Sequence, residues 1–416
     1  MWTIFKFTNL IYLLVSSYIW FAFLLPRNYI PLIVSGLFLM CFAFGHFRLR
    51  VTPRAYGILG VLVLYSVYSL YILDFNYALT IFFSYLPAVL LFTLEEQLQK
   101  DLLGYVTKWF SIMMGVSIVF FGLSFLVPLP SSLFLPYELS DSYLTFDNYY
   151  FFMKTNMYLS ENAGIFRFGG PFLEPGHQSL ICALLLFANR FRMKRQPLMW
   201  ILVVSVVLSF SLAGYLILFV GWAMAKIKNI YTMAGIVFIV GGTWLFCTVV
   251  WNGGQNPVNK LIFERLEFDK DKGIKGNNRT LRHTDYFFRE CVSDGTAVLG
   301  VRSLKADKLK IAGAGYKIFI LRNGFIGLAF VMMLYLMLIP PGCNLRYGTS
   351  FFLLIVMIFL QRAYPTWYSW LLPYVLGLGV MRWNYDEGAG EEEEADPEEL
   401  PAPESSPLPQ GFPDGN

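Results

Sequence analysis

Long apolar runs, ended by charged residues, prolines or interfacial aromatic residues, occupy most of residues 1–385. A bilayer core is crossed by a helix of roughly 17–25 apolar residues, and its ends are marked in this way. We therefore predict an all-α fold, a polytopic transmembrane bundle of about twelve spans. The predicted spans lie close to residues 10–25, 29–44, 55–73, 77–93, 109–127, 180–187, the two halves of 198–225, 231–251, 311–339, 348–361 and 368–381.

Three stretches depart from a simple series of spans. Residues 198–225 are too long for one upright helix and are interrupted by small residues and serines at 209–214. We predict two short helices that meet in a tight turn; the alternative is one long tilted helix. Residues 95–108 are predicted to form a polar amphipathic connection, and the broken aromatic stretch 131–165 is predicted to lie at the level of the lipid headgroups.

Composition and charge refine this prediction. The chain of 416 residues is 56% apolar with a mean hydropathy of +0.54, which excludes an ordinary soluble domain. All 32 Lys and Arg lie in residues 1–382, whereas 11 of the 28 acidic residues lie from Asp386 onward, so the apolar part carries about +15 (32 minus 17). Residues 386–416 cannot bury enough apolar area to fold, and we predict a disordered acidic tail or a non-native expression remnant.

The short basic loops predict the orientation. Short loops rich in Lys and Arg face the cytoplasm, and here they all fall on one face together with both termini. The opposite face, predicted to be periplasmic at a bacterial inner membrane, carries the outer loops 128–177 and 251–310. Eighteen of the 32 basic residues map to that face. A basic outer surface predicts an anionic ligand.

Ionisable side chains precede the apolar helix predicted at 180–187. Pro175 suits a first helical turn, since that position needs no amide hydrogen bond. Glu174 then lies at the N-cap and His177 in the first turn, where the two side chains can approach each other. With Arg167 nearby, this predicts an acid/base pair beside an anion-binding arginine. The alternative is that Glu174 only caps the helix and His177 only fills a polar gap.

A second polar group lies late in the loop 251–310. If this segment is helical, its arginines share one face. Each planar guanidinium presents several N–H donors in a fixed geometry that suits phosphate oxygens. The alternative is a solvated basic face. His283 beside Asp285 is a second candidate acid/base pair, or a contact that only orders the loop. The residues predicted here to bind the diphosphate or glycan of a substrate are Arg279, Arg282, His283, Asp285, Arg289 and Arg322.

Other common chemistries lack a signal. The five cysteines form no close pair, and the chain contains no nucleotide-phosphate loop, H-E-x-x-H or G-x-S-x-G motif. No cluster of carboxylates suited to a hard cation is evident. We therefore predict a reaction that needs neither a metal nor a cofactor, and no nucleic-acid partner.

Four features, taken in order, resemble the O-antigen polymerase and O-antigen ligase superfamily of bacterial inner-membrane glycosyltransferases. They are the twelve-span outline, Arg167 with glycine-rich sequence before a span, the serine-containing turn, and the large late outer loop. That loop shows Asn278-Arg279, then Arg289 followed after ten residues by Gly300, and the following segment 316–328 is similar to the family's G-x-x-G-L helix start. The resemblance covers roughly residues 150–340 and implies a fold of the GT-C type.

The chain departs from the family pattern at two places, and the first departure, a missing histidine, favours the polymerase over the ligase. Ligases carry a histidine about eleven residues before the first glycine of that helix start, where this chain has Gly313. No histidine occurs from 284 to 416. The turn also reads Ser-Leu-Ala-Gly where a Ser-Arg pair is common.

The resemblance implies transfer of a growing glycan from undecaprenyl diphosphate to the non-reducing end of a lipid-linked repeat unit. The implied partners are that lipid-linked oligosaccharide, membrane lipid, and a chain-length regulator and flippase of the same pathway. Alternatives are a ligase-type transferase, a transporter of lipid-linked sugars, and a structural subunit of an export complex. A transporter would be expected to show matching halves and a charge buried deep within the spans, and the sequence indicates neither.

Overall fold

The computed structural model of the chain is helical, with two small antiparallel sheets in its loops. It describes residues 1–17, 30–45, 47–130, 133–139, 142–148, 152–155, 167–194, 196–226, 238, 241–256, 259, 264, 268–269, 273–274, 282–301, 315–362 and 364–380. The predicted acidic tail, Arg279, and residues 231–237, 239 and 240 of the predicted span 231–251 lie outside these residues.

The helices follow the apolar runs of the sequence. In chain order they are α1 (Trp2–Ser16), α2 (Ile30–Gly45), α3 (Pro53–Ile72), α4 (Phe75–Thr93), α5 (Glu96–Leu123), α6 (Pro175–Ala188), α7 (Met199–Leu208), α8 (Leu212–Lys226), α9 (Arg282–Ser293), α10 (Tyr316–Met337), α11 (Leu345–Gln361) and α12 (Tyr368–Val380). Within the described residues, α3, α4, α5 and α10 are long and apolar enough to cross a membrane.

Two predictions about element boundaries are wrong. Residues 95–108 are not a separate connection, because residues 96–108 are the first turns of the 28-residue α5. Its polar residues have partners: the Gln99 amide donates to Leu91 O at 2.7 Å, and Lys6 of α1 donates to Asp101 Oδ2 at 3.1 Å. In addition, α1 begins at Trp2, eight residues earlier than predicted.

Strands occur where the sequence indicated only a broken aromatic stretch. Strands β1 (Leu133–Leu139), β2 (Ser142–Asn148) and β3 (Met153–Thr155) form an antiparallel sheet in the order β1-β2-β3. A two-stranded sheet, β4 (Phe268–Asp269) with β5 (Gly273–Ile274), lies in the later loop. The all-α prediction therefore applies to the bundle and not to these loops.

Helix α6 is the centre of the bundle. Every one of its 14 residues is buried, and it packs between α7, α8 and α12. After its polar first turn, α6 is apolar on all sides, and such a helix is stable only when covered in this way. These four helices have only 10–15 residues, so none exceeds about 22 Å in length. The 19–28 residues of α3, α4, α5 and α10 make those helices about 28–42 Å long.

The predicted break within 198–225 is confirmed. Helices α7 and α8 are separated by Ser209, Phe210 and Ser211, and Phe210 has a positive φ of 46°. Hydroxyl groups hold the turn: Ser209 Oγ accepts from Ser211 N at 3.2 Å, and Ser211 Oγ accepts from Gly214 N at 3.3 Å. These bonds satisfy amides at the start of α8.

Two glycines join the late loop to α10. Gly300 (φ 84°) and Gly324 (φ 70°) face each other, and a Cβ on Gly324 would lie 2.5 Å from the carbonyl carbon of Leu299 and 2.8 Å from Gly300 N. Gly324 also kinks α10. The Tyr68 hydroxyl of α3 bonds the carbonyls of Leu299 and Asn323 at 2.9 and 2.8 Å, which fastens this junction to the bundle.

Replacing Gly324 by Ala should therefore destabilise the protein by roughly 2–3 kcal/mol, since a Cβ there meets backbone atoms and the positive φ disfavours an L side chain. The apparent melting temperature of the purified protein in detergent measures this. Gly60→Ala in α3 is the matched control, because no atom lies within 4 Å of its Cβ position. Equal melting temperatures for both variants would contradict the close packing of Gly300 and Gly324.

Candidate active site at the start of α6

Helix α6 begins as the sequence predicts, with Pro175 as its first residue and Glu174 at the N-cap position. The side chain of Glu174, however, makes no capping hydrogen bond to the helix. The interpretation of Glu174 as a simple cap is therefore wrong, and its carboxylate is directed to other partners.

The partner of Glu174 is Arg362, in the connection between α11 and α12. Arg362 Nη2 donates to Glu174 Oε2, and the two form an ion pair. The Arg362 side chain is only 4% exposed, whereas that of Glu174 is 29% exposed. Gly176 makes this approach possible, because a Cβ at that position would lie only 3.0 Å from Arg362 Nη2. The guanidinium thus lies against the first turn of α6, with the carboxylate on its more accessible side.

His177 is the third member of this group, and its approach to Glu174 agrees with the prediction. Its Nε2 lies 3.9 Å from Glu174 Oε2, and its side chain is 3% exposed. Trp367 meets the imidazole edge to face, with ring centroids 4.7 Å apart at 85°. Trp367 itself is stacked on Tyr364 and Trp370. The imidazole is therefore positioned by an aromatic wall that follows Arg362 in the chain.

Arg167 lies at the turn beside this group. Its Nε donates to Ser209 O at 3.0 Å, and Phe168 N donates to Leu208 O at 3.0 Å. The same turn reaches α6, because Ser211 Oγ is 3.6 Å from the Cβ position of Gly176. The segment before α6, the α7–α8 turn and the α11–α12 connection thus meet in one place.

This meeting place is deep in the bundle. Gln99, in the first turn of α5, bonds to Leu91 near the end of α4 and packs against Gly379 near the end of α12, so α4 and α12 end at a similar level. Near the start of α12, Pro365 O accepts a hydrogen bond from Tyr85, which is ten residues after the start of α4. Ten helical residues span about 15 Å. Arg362 is thus a charge buried deep in the bundle, although it lies in a connection and not within a predicted span.

The other predicted site residues that the structure describes lie on α9 and α10. Helix α9 packs on residues 296–298 and on the start of α10, where Lys317 donates to Asp285 at 2.8 Å. Asp285 therefore joins α9 to α10 through Lys317. His283, Arg289 and Arg322 are exposed, and Arg282 begins α9. Their roles in binding a substrate stay predictions.

Sequence reasoning missed Arg362, Gly176 and Trp367. A signal for Arg362 was present, because a cation in a short connection on the predicted outer face breaks the rule that short basic loops face the cytoplasm. Its partner could not be read from the sequence, since Glu174 is 188 residues away along the chain. Gly176 has no signal beyond being a glycine in a first turn.

A half-exposed carboxylate held by a buried guanidinium can accept a proton from a hydroxyl group, and the nearby cations favour an anion. In the described part of the chain, no group of three His, Cys, Asp or Glu side chains is arranged as a metal site. The prediction of a metal-independent reaction stays untested.

No protein-family model, curated protein or solved structure gives a significant match to the chain.

Replacing Glu174 by Gln should destabilise the protein by about 3 kcal/mol, because it leaves the buried Arg362 without its counter-charge. The double variant Glu174→Gln/Arg362→Met removes both charges and should recover most of that loss. Melting temperatures of the single and double variants in detergent measure the coupling.

The matched control is Asp285→Asn, which breaks the more exposed pair with Lys317 and should cost about 1 kcal/mol or less. Two results would show that the buried ion pair is not a stabilising unit. One is a melting temperature for Glu174→Gln equal to that of Asp285→Asn. The other is a double variant whose loss of stability equals the sum of the losses in Glu174→Gln and Arg362→Met.

Proposed function

We propose that this protein is a membrane glycosyltransferase that polymerises lipid-linked oligosaccharide at the periplasmic face of a bacterial inner membrane. One observation carries the proposal: a partly exposed carboxylate, a buried guanidinium and an imidazole lie together at the start of α6, among apolar helices. Ionisable groups at such depth are costly and are typical of functional sites.

The proposed membrane arrangement is the twelve-span bundle with both termini in the cytoplasm. In the described part of the chain, four helices meet the length and hydropathy needed to cross a bilayer, and seven shorter apolar helices accompany them. The short central helices would place the start of α6 below the membrane surface. A lipid-linked substrate could then reach the site with its diphosphate still near the headgroups.

In the proposed reaction, Glu174 is the general base. Its carboxylate accepts the proton of the acceptor sugar's hydroxyl, the hydroxyl oxygen forms a bond to the anomeric carbon of the donor glycan, and the bond from that carbon to the diphosphate breaks. Undecaprenyl diphosphate leaves with the bonding electron pair. Glu174 is preferred over His177 because 29% of its side chain is exposed, against 3% for the imidazole. His177 then acts as a positioning residue.

Arg167 and Arg362 are proposed to stabilise the charge that develops on the leaving diphosphate. Arg167 is the more accessible of the two, and Arg362 also fixes the Glu174 carboxylate. The N-terminus of α6 adds a positive dipole end at the same place. We retain the predicted residues Arg279, Arg282, Arg289 and Arg322 as an outer binding surface for the incoming substrate, with His283 and Asp285.

The chief rival is a transporter of the same lipid-linked sugars. Buried Arg362 removes one sequence argument against it, since a charge within the bundle is what a transporter would also carry. The feature that favours an enzyme is the carboxylate beside that charge, which a transporter of an anionic lipid would not need. A ligase-type transferase would use the same base and differ in its acceptor.

Glu174→Gln should lower the rate of chain elongation at least about 100-fold, because a positioned base is worth 10²–10⁴-fold. Purified protein in nanodiscs, supplied with lipid-linked repeat units and without nucleotide sugar, gives the rate from the ladder of products. Glu290→Gln, an exposed carboxylate on α9, is the control and should retain wild-type activity.

Because Glu174→Gln alone is expected to be less stable, the double variant Glu174→Gln/Arg362→Met is measured in parallel. It should be folded and inactive. Full activity in either variant would exclude Glu174 as the base.

The two functional classes separate in proteoliposomes that contain lipid-linked repeat units. We expect the lipid to be converted into longer glycans and undecaprenyl diphosphate to be released. Unchanged lipid that crosses the bilayer, with no longer products, would instead identify a transporter.

A further inference from the structure

The connection between α11 and α12 carries two groups of the proposed site, and its described residues, 362 and 364–367, belong to no helix. Within the described residues of this connection, Tyr364 N donates to Arg362 O at 2.8 Å, and Trp367 N donates to Tyr364 O at 3.1 Å. These bonds make the connection compact. They do not fix it relative to α6, where Glu174 and His177 lie.

Two tyrosines from distant parts of the chain hold this connection in place. The carbonyl of Pro365 accepts hydrogen bonds from the hydroxyl of Tyr335 at 2.8 Å and from that of Tyr85 at 3.2 Å. Tyr85 comes from α4 and Tyr335 from α10, and both are buried. A carbonyl oxygen has two lone pairs, so this arrangement uses its full capacity.

The two hydroxyl groups are themselves held firmly. The rings of Tyr85 and Tyr335 meet edge to face at 6.4 Å, and the rings of Tyr335 and Tyr374 do so at 5.2 Å. Buried hydrogen bonds of this kind are costly to leave unmade. The position of Pro365 is thus determined by α4 and α10, and Arg362 and Trp367 are three and two residues away from it.

We propose that Tyr85 and Tyr335 are positioning residues of the active site, which act through the Pro365 carbonyl to set Arg362 against Glu174 and Trp367 against His177. This inference rests on the proposed function. It assigns a catalytic consequence to two buried hydroxyl groups that touch no substrate. Loss of either hydroxyl lets the connection shift, which moves the guanidinium away from the geometry that fixes the carboxylate.

Tyr374 offers a matched control. It is a buried tyrosine of α12, and its hydroxyl donates to the backbone carbonyl of Tyr335 at 2.9 Å. Tyr374→Phe thus removes the same kind of buried hydrogen bond from the same aromatic cluster without removing a bond to Pro365. A purely structural role for the cluster predicts the same outcome for Tyr335→Phe and Tyr374→Phe.

The experiment measures kcat and KM for chain elongation, together with the melting temperature, in Tyr335→Phe, Tyr85→Phe, the double variant and Tyr374→Phe. Tyr335→Phe and Tyr85→Phe each lose a hydrogen bond to Pro365, and we expect kcat to fall about tenfold in each and further in the double variant. KM should stay within about twofold of the wild-type value. Tyr374→Phe should lose a similar amount of thermal stability and keep its kcat. An unchanged kcat in Tyr335→Phe and Tyr85→Phe, or an equal fall in Tyr374→Phe, would overturn the proposal.

A second readout does not require activity. The chain has three histidines, so the His177 imidazole resonance of ¹³C-histidine-labelled protein is assigned by its loss in His177→Gln. The ring current of Trp367 should make this resonance shift in Tyr335→Phe and stay unchanged in Tyr374→Phe. If the wild-type protein does not elongate chains but the resonance behaves as expected, the proposed function fails and the positioning role stands. If the resonance is equal in all three proteins, the positioning role fails.

Discussion

A guanidinium buried among apolar helices is tolerated only when a carboxylate and further polar groups lie within reach, because the cost of removing its hydration is large. Arg362 meets this condition through Glu174, and the first turn of α6 supplies the room because residue 176 is a glycine. The ion pair joins two residues that lie 188 positions apart in the chain, so it fixes α6 relative to α11 and α12. It also leaves one side of the carboxylate accessible, which is what a chemical role requires.

The local structure around this pair consists of interrupted helices. Pro175 starts α6, the serines at 209 and 211 separate α7 from α8, and the connection after Gln361 separates α11 from α12. Non-helical backbone at membrane depth is tolerated where it is buried in protein or lines a cavity. Three of the breaks therefore meet at the site, while the longer helices α3, α4 and α5 run without a loop along the bundle and α10 is kinked at Gly324. In the proposed membrane arrangement, the short central helices would place Glu174 below the ends of the longer helices.

Local signals in the sequence predicted much of this arrangement. Pro175 sets the start of α6 through its missing amide hydrogen, and the approach of Glu174 and His177 follows from helical spacing. Small residues and serines predicted the turn between α7 and α8. Arg362 was not identified, because its pairing depends on packing between distant segments and no local pattern encodes it. The strands in residues 133–155 were missed for a related reason: their pairing depends on register between segments that lack a clean alternation.

In α5, a local pattern suggested a break that the structure does not contain. Polar residues near its start suggested a connection, yet helix formation needs only that such residues find partners, and Gln99 and Asp101 do. In the same way, α9 has the arginine spacing expected of an anion-binding face, and its carboxylate Asp285 joins it to α10. Spacing identifies a face, and packing decides what that face contacts.

The central claim is that a carrier diphosphate binds at the start of α6. The most direct test is a cryo-electron microscopy map of the protein in nanodiscs with undecaprenyl diphosphate. The account predicts phosphate density within hydrogen-bonding distance of Arg167, beside the Arg362–Glu174 pair. Phosphate density at α9 alone, remote from Glu174, would contradict it.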